Sequence, residues 1–298
     1  MKLVAWGKTD TGRKRDHNED NYLVDFELGL FAVADGMGGH QGGHIASRLA
    51  LEVLRREVAD SDDDYRAAAS RYLERAQRTT QPIDMDELAT LDMIGRADTP
   101  PVDTDDPTDP SIETAFPPAT QVMRAAAREA GHAVFDAALE DTSLRGMGTT
   151  LTAMLYDAGR MHVVHAGDSR AFLFRDNQLE QLTEDHSWIA EQVRAGAMSE
   201  EEAKESKFRH IITRSVGFER DVEIDCSGVA AEAGDCFLLC SDGVTNFVEN
   251  PELELLFGTT RYRRMPQLLI DLANERGGDD NITVVVIYIG NDRSGADD

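Results

Sequence analysis

The segment Leu-Gly-Leu-Phe-Ala-Val-Ala-Asp-Gly-Met-Gly-Gly-His, residues 28–40, joins a continuous apolar run to a glycine-rich turn. An apolar run that stops at an Asp-Gly dipeptide is typical of a strand buried on both faces. After the glycines, apolar residues at helical spacing from Ile45 to Val58 predict an amphipathic helix. The segment therefore places the carboxylate of Asp35 where a core strand meets a turn.

Most of the remaining chain is patterned as strands, with a few helices among them. After an alanine-rich helix predicted over 120–139, strand patterns follow at 149–155, 161–166, 171–174, 222–229, 235–240 and 282–289. Helical patterns intervene at 188–196, 199–204, 251–256 and 266–276. Two long helices followed by many strands predict an α+β fold, in which sheets pack together with helices outside.

The stretch between the two long helices has a different composition from the rest. Six of the nine prolines lie between Pro100 and Pro118, among several aspartates. Because proline removes backbone donors and like charges repel, we expect a flexible acidic insertion at about 79–118. The apolar patterns on either side are each too short to close a core, so the sequence predicts one domain over 1–290 and a disordered tail over 291–298.

Composition limits the partners and the compartment. The formal net charge of −26 repels nucleic acid and anionic membrane surfaces and attracts divalent cations. No apolar run reaches the roughly 18 residues of a membrane span, and the N-terminus lacks the apolar stretch of a signal peptide. The three cysteines lack a metal-ligand spacing, so we expect reduced thiols and a cytoplasmic protein, with Cys236 and Cys240 buried on one face of a strand.

Four aspartates share a position at the end of a strand: Asp35, Asp168, Asp242 and Asp280. One Asp-Gly after a strand is ordinarily a turn, but four at the mouths of separate core strands suggest a cluster. Clustered carboxylates repel, and their burial is relieved by protonation or by cations. Oxygen ligands alone favour Mg²⁺, Mn²⁺ or Ca²⁺ over zinc, and two such ions can aim a water molecule at phosphorus. Spacing alone leaves the convergence of these aspartates open.

Two neighbouring features allow two interpretations each. The glycines of 36–39 let the backbone approach an ion, so the Gly36 carbonyl could be a ligand, or they could serve only a strained turn. Arg15 could grip a phosphate through its planar fork of donors, or be an ordinary surface charge.

Seven segments, taken in order, resemble the metal-dependent protein phosphatases, the PPM or type 2C family, in its bacterial branch. The resemblance covers nearly the whole chain outside 79–118. The segments are 15–20 (Arg-Asp-His-Asn-Glu-Asp), 35–40 (Asp-Gly-Met-Gly-Gly-His), 146–150 (Gly-Met-Gly-Thr-Thr), 165–170 (His-Ala-Gly-Asp-Ser-Arg), 182–187 (Leu-Thr-Glu-Asp-His-Ser), 241–243 (Ser-Asp-Gly) and 279–283 (Asp-Asp-Asn-Ile-Thr).

The resemblance implies a four-layer α-β-β-α sandwich, in which helices flank two antiparallel sheets, with two Mn²⁺ or Mg²⁺ ions at one end. Carried over by position, Asp35 bridges both ions and the Gly36 carbonyl binds the second. Asp242 and Asp280 complete the first ion.

The resemblance also assigns the remaining site residues. Glu19 and Asp20 act mainly through metal-bound water, and Asp168 holds a third, weaker ion, together with Asp242. Arg15 binds the substrate phosphate and, with Asp35 and Asp242, forms the catalytic set. A metal-bridging hydroxide attacks phosphorus in line, without a phosphoenzyme intermediate.

Two departures from the family pattern bear on mechanism and specificity. Met37 stands where animal and plant members often have a histidine proposed to protonate the leaving oxygen, so the acid is a metal-bound water, with His40 as a substitute. The acidic insertion is longer than usual, and it is either a tolerated surface loop or a screen for substrates and partners. Residues 188–217 correspond to the variable flap beside the active site, which influences the choice of phosphoprotein.

The expected activity is hydrolysis of phosphoserine and phosphothreonine in proteins, opposing serine/threonine kinases. The expected partners are phosphorylated proteins, including a cognate kinase or its substrates, for a monomer that binds neither nucleic acid nor membrane. Three alternatives stay open: a non-catalytic phosphoprotein-binding module, a partner-switching phosphatase, and a hydrolase of small phosphate metabolites.

Overall fold

Two five-stranded antiparallel sheets stack face to face in this computed structural model, which describes residues 2–38, 42–61, 118–208 and 211–290. The first sheet has the order β1-β12-β11-β8-β9, formed by Lys2–Asp10, Ile282–Gly290, Cys236–Cys240, Arg170–Arg175 and Gln178–Gln181. The second has the order β10-β7-β6-β3-β2, formed by Asp225–Ala230, Arg160–Ala166, Leu151–Asp157, Leu30–Ala34 and Asn21–Asp25. Two short strands, β4 (Gly36–Met37) and β5 (Gly148–Thr149), pair separately.

Helices cover the outer face of each sheet. The pair α1 (Gly42–Asp60) and α2 (Pro118–Glu140) shares one apolar cluster with β3, β6 and β7. On the other side, α6 (Asn250–Thr259) and α7 (Met265–Glu275) share a cluster with β8, β11 and β12. These layers confirm the predicted α-β-β-α sandwich. Three shorter helices, α3 (Trp188–Arg194), α4 (Glu200–Glu205) and α5 (Asp242–Thr245), lie in connections.

Strand β3 shows why the opening apolar run decides the fold. All five of its residues are buried. Leu30, Ala32 and Ala34 pack toward the helices, while Phe31 and Val33 pack between the sheets. Since successive side chains of a strand point to opposite faces, a strand between two packed layers must be apolar at every position.

The predicted core elements are confirmed, with shifted ends. The strand expected at 28–34 begins at Leu30, and the one expected at 149–155 is divided into β5 and β6 on either side of Thr150. The strand expected from Val222 begins at Asp225. Pro118, placed in the flexible insertion, is instead the buried first residue of α2, a position that suits proline because its missing N–H is not needed there.

Edge strands were missed because they lack apolar runs. β1 is mostly half-buried and includes four polar or charged residues, and β2 and β9 are similarly mixed. The cysteines match expectation: Cys236 and Cys240 are buried on one face, and all three thiols are free.

Some predictions fall on residues outside the described ranges. These are the insertion up to residue 117, the tail at 291–298, and His40. Within the described residues, no helix combines the length and apolar character that crossing a bilayer requires.

Candidate metal centre

The topology brings the strand-end aspartates to one end of the sandwich. Asp242 follows β11 and Asp280 precedes β12, and these strands are antiparallel neighbours in the first sheet. In the second sheet, Asp35 follows β3 and Asp168 follows β7, which both pair with β6. The end of one strand and the start of its antiparallel neighbour lie together, which brings Asp242 near Asp280. Because β3 and β7 are both antiparallel to β6, they run in the same direction, so their ends, with Asp35 and Asp168, lie at the same edge of the sheet.

A buried hydrogen-bond bridge joins the two sheets at this end. Asp20, directly before β2, accepts a hydrogen bond from the Ser241 hydroxyl through Oδ2 at 2.8 Å. Ser241 Oγ in turn accepts from the backbone N–H of Thr283 at 3.0 Å. Asp20 of the second sheet is therefore locked against the first sheet, beside Asp242.

The backbone of Asp35 is held from both sides. Its N–H donates to Thr150 Oγ1, and its carbonyl oxygen accepts from the Thr149 hydroxyl and from the Thr150 N–H, each at 2.9 Å. Thr150 is the residue that interrupts the predicted strand, so that interruption serves to fix Asp35. The position of the carboxylate is thus set by the fold.

Gly36 and Gly43 allow the start of α1 to press against this turn. A Cβ on Gly36 would overlap the carbonyl oxygen of Gly43 and lie 2.5 Å from the carbonyl oxygen of Glu19. A Cβ on Gly43 would lie 2.8 Å from Glu19 Oε1. Only glycine fits at both positions, which brings the Gly36 backbone and the Glu19 carboxylate together.

Asn281 ties the loop that carries Arg15 to the start of β12. Its Oδ1 accepts from the Glu19 N–H at 2.8 Å, and its Nδ2 donates to the carbonyl oxygens of Thr11 and His17 at 2.9 Å. Next to it, Arg15 Nη2 donates to Asp280 Oδ2 at 2.7 Å. The phosphate-binding candidate therefore lies directly against a candidate metal ligand.

Burial and mutual repulsion raise the pKa values of three carboxyls here. Burial, with repulsion from Asp20 and Asp242 and then from Asp168 and Asp280, raises the pKa of Asp35 well above its usual range. Burial, and then repulsion from Asp242, likewise raises the pKa of Asp168. Burial raises the pKa of Asp20 to about 7, against hydrogen bonds from Thr283 and Ser241 that lower it. Five aspartates thus lie near enough to repel one another.

The donor chemistry of this cluster fits a hard divalent cation. Glu19 Oε1, Asp20 Oδ1 and Asp168 Oδ1 are buried without a hydrogen-bond donor among the described residues. A buried carboxylate oxygen without a donor is costly unless a proton or a cation compensates it. In the described residues, no three His, Cys, Asp or Glu side chains are already close enough together to hold an ion unaided, so backbone and water oxygens would have to complete any coordination shell.

Sequence reasoning gave no role to several residues that organise the site. Ser241, Thr150 and Asn281 fell within the quoted segments, but only their contacts reveal what they do. His186 is another: its ring lies 4.8 Å from that of His165, and its Nε2 lies 3.0 Å from Asp225 Oδ2. Burial of these polar side chains next to the carboxylates would have indicated their role, but burial cannot be inferred from the sequence of the seven segments alone.

The predicted flap is a short helical excursion returning to the site. It contains α3 and α4 and comes back through Val216, which exchanges two backbone hydrogen bonds with Thr149 at 3.0 Å. Trp188 and Phe208 pack edge to face, with ring centroids 5.4 Å apart. The flap is thus joined to the strand next to Gly36.

This sandwich, with carboxylates at one end of its two sheets, defines a protein phosphatase 2C-like fold. Residues 11–278 match the family model of protein phosphatase 2C, and the chain belongs to that family. Serine/threonine phosphatase Stp of Listeria monocytogenes is 32% identical over 285 residues, which cover 94% of this chain and 93% of that protein. PstP of Mycobacterium tuberculosis is 33% identical over 280 residues, which cover 94% of this chain and 43% of that protein.

Solved structures agree with the fold. The crystal structure of the M. tuberculosis serine/threonine phosphatase PstP matches with a TM-score of 0.71 and 30% identity, over 97% of this chain and 99% of that one. A PstP catalytic domain in complex with two manganese ions matches with a TM-score of 0.69 and 30% identity, over the same shares of the two chains.

Proposed function

We propose that this chain hydrolyses phosphoserine and phosphothreonine in proteins with two Mn²⁺ or Mg²⁺ ions. The observation that carries the proposal is the cluster of five aspartates at one end of the sandwich. Beside or within it, Glu19 Oε1, Asp20 Oδ1 and Asp168 Oδ1 are buried without a donor among the residues that the structure describes. Asp35 would hold both ions and the Gly36 carbonyl the second. Asp242 and Asp280 would complete the first, and Asp168 would hold a third, weaker ion together with Asp242.

The ions and the side chains divide the chemistry. When bound, two hard divalent ions acidify a water molecule and neutralise phosphate charge. Arg15 would bind the substrate phosphate. Its Nη2 donates to Asp280 Oδ2, and its other guanidinium nitrogens can donate to phosphate oxygens. Glu19 and Asp20 would act mainly through metal-bound water. Fixed backbone contacts at Asp35 keep these groups in place without reorganisation during the reaction.

The relatives, the net charge and the thiols bear on the substrate class, the partners and the compartment. The relatives carry the names serine/threonine phosphatase Stp and PstP, which supports phosphoproteins, including a cognate kinase or its substrates. The net charge of −26 argues against nucleic acid and anionic membranes as partners. The free thiols support a reducing, cytoplasmic setting. We take a monomer as the working state.

A panel of phosphate esters tests the substrate class. With Mn²⁺ present, kcat/KM is measured for a phosphothreonine peptide, the matched phosphotyrosine peptide, glucose 6-phosphate and a nucleoside monophosphate. We expect the phosphothreonine peptide to lead by at least about tenfold. Efficient turnover of the sugar or nucleotide phosphates, with none of the peptide, would overturn the proposal.

A further inference from the structure

One exposed aromatic side chain beside the candidate metal centre has no part in the mechanism above. Phe218 directly follows the flap (188–217), and 52% of it is exposed. Its backbone is fixed, because Val216 exchanges two hydrogen bonds with Thr149 and Gly217 has a φ of +97°, where a Cβ would overlap Val134. The backbone that leads into Phe218 is therefore fixed, while about half of its side chain is exposed to water.

Strand register puts this ring next to Met37. In the β4–β5 pair, Met37 lies directly opposite Gly148. A Cβ on Gly148 would lie 2.6 Å from Cδ2 of Phe218, so the ring covers the face of Gly148 from which a side chain would project. Directly opposite residues of an antiparallel pair share a face. Phe218 and the Met37 side chain therefore lie on the same side of this small sheet.

The same face leads to the candidate metal centre. Asp35 lies two residues before Met37, and the hydrogen bond from the Thr150 N–H to the Asp35 carbonyl oxygen at 2.9 Å continues the β4–β5 register to Asp35. Alternate residues of such an extended segment point to the same side. Gly36, between them, is the candidate backbone ligand. The apolar pair is thus adjacent to the carboxylate expected to hold both ions, which is itself surrounded by other aspartates.

We propose that Met37 and Phe218 form an apolar wall that receives an apolar side chain flanking the phosphorylated residue of a protein substrate, an inference that rests on the proposed function. A thioether and a phenyl ring offer no proton or charge to the reaction. They gain only by covering apolar surface. Because the wall adjoins the point where phosphate would bind, its occupant is a residue next to the phosphoserine or phosphothreonine in sequence.

Matched peptides test the wall. Three phosphothreonine peptides differ only beside the phosphothreonine: Leu before it, Leu after it, or Asn at both positions. Wild type, Phe218→Ala, Phe218→Leu and Phe26→Ala are compared by kcat/KM with Mn²⁺. Phe26 is a control because it is 53% exposed and directly follows β2, at the opposite end of that strand from Asp20.

The expected result is a preference of about tenfold in wild type for one Leu peptide over the Asn peptide, the size expected for part of one apolar side chain leaving water. Phe218→Ala reduces that ratio to less than about threefold, whereas Phe218→Leu and Phe26→Ala retain it. Equal turnover of all three peptides by wild type, or an unchanged ratio in Phe218→Ala, overturns the wall. Failure of wild type to hydrolyse any of the peptides instead contradicts the proposed function, so the two failures are distinguishable.

Discussion

His186 and Gly167 exchange two hydrogen bonds at the base of the candidate metal centre. The His186 N–H donates to the Gly167 carbonyl oxygen at 2.7 Å, and the Gly167 N–H donates to His186 Nδ1 at 3.1 Å. Since Nδ1 accepts, Nε2 carries the hydrogen and donates to Asp225. The turn that presents Asp168 is thus held by one buried imidazole.

Replacing His186 should loosen this turn. We expect His186→Ala to lower the free energy of unfolding by about 1–3 kcal/mol, because the Gly167 N–H loses its acceptor. It should also raise the Mn²⁺ concentration for half-maximal activity by about 10-fold, the usual size of an indirect effect on a metal ligand. His132→Ala is the control, because His132 is a partly buried histidine of α2 whose Nε2 lies 3.1 Å from Asp221, outside the aspartate cluster. An unchanged Mn²⁺ titration in a destabilised His186→Ala protein would limit the residue to a structural role.

Loss of Arg15 should weaken phosphate recognition. Arg15→Ala removes charge-assisted hydrogen bonds to phosphate, so kcat/KM for a phosphothreonine peptide should fall by about 10- to 100-fold. Lys14→Ala is the matched control, since Lys14 pairs with Asp279 at 2.8 Å and is 64% exposed. Steady-state kinetics at saturating Mn²⁺ measures both. Equal effects of the two substitutions would count against a specific role for Arg15.

Asp168 should contribute an ion that is separable from the other two. We expect Asp168→Ala to remove one weak site in calorimetric Mn²⁺ titrations while the tighter sites persist, because Asp35 and Asp280 are unchanged. Asp176→Ala, an exposed aspartate at a hairpin turn, should leave the titration as in wild type. Loss of all Mn²⁺ binding in Asp168→Ala would show that the ions are not independent.

Gly36 should tolerate no side chain. Gly36→Ala would push a methyl group into the Gly43 and Glu19 backbones, so we expect both a lower melting temperature and loss of most activity. Gly258→Ala is the control, because it lies in α6 with its nearest neighbours 3.8 Å and 4.0 Å away. Alanine there should be neutral or stabilising by about 0.5–1 kcal/mol. Wild-type stability and activity of Gly36→Ala would contradict the close packing.

Acid should destabilise the protein through His165. Burial lowers the pKa of His165 to about 4, from an ordinary value of 6.5. Between these pH values the unfolded chain binds more protons than the folded one. The contribution of neutral His165 to folding stability is therefore fully present above pH 6.5 and is lost as pH falls toward 4. Urea unfolding measures the free energy of unfolding at pH 7 and at pH 4.5. The decrease between the two pH values should be smaller in His165→Gln than in wild type, by up to about 3 kcal/mol. An identical pH dependence in both proteins would contradict a neutral, buried His165.

The sequence revealed the core strands and the acidic cluster for different reasons. β3 and β11 are apolar at every position, and β12 at all but Thr283, because layers cover both faces, so these strands stand out without structural information. Edge strand β1 mixes polar and apolar residues, so it could not be recognised from the sequence. The aspartates were identified by their place at strand ends and by family resemblance, whereas the bridge from Asp20 to Ser241 spans 221 positions and becomes visible only in three dimensions.

The most direct test of the metal-dependent phosphatase account is hydrolysis of a phosphothreonine peptide by wild type and by Asp242→Asn, with Mn²⁺ and with EDTA. Asp242 is the choice because its carboxylate lies near both Asp35 and Asp168 and raises the pKa of each. The account predicts turnover by wild type in Mn²⁺ only, and a loss of at least about 100-fold in Asp242→Asn with the fold retained. Turnover that survives EDTA, or that is undiminished in Asp242→Asn, would contradict it.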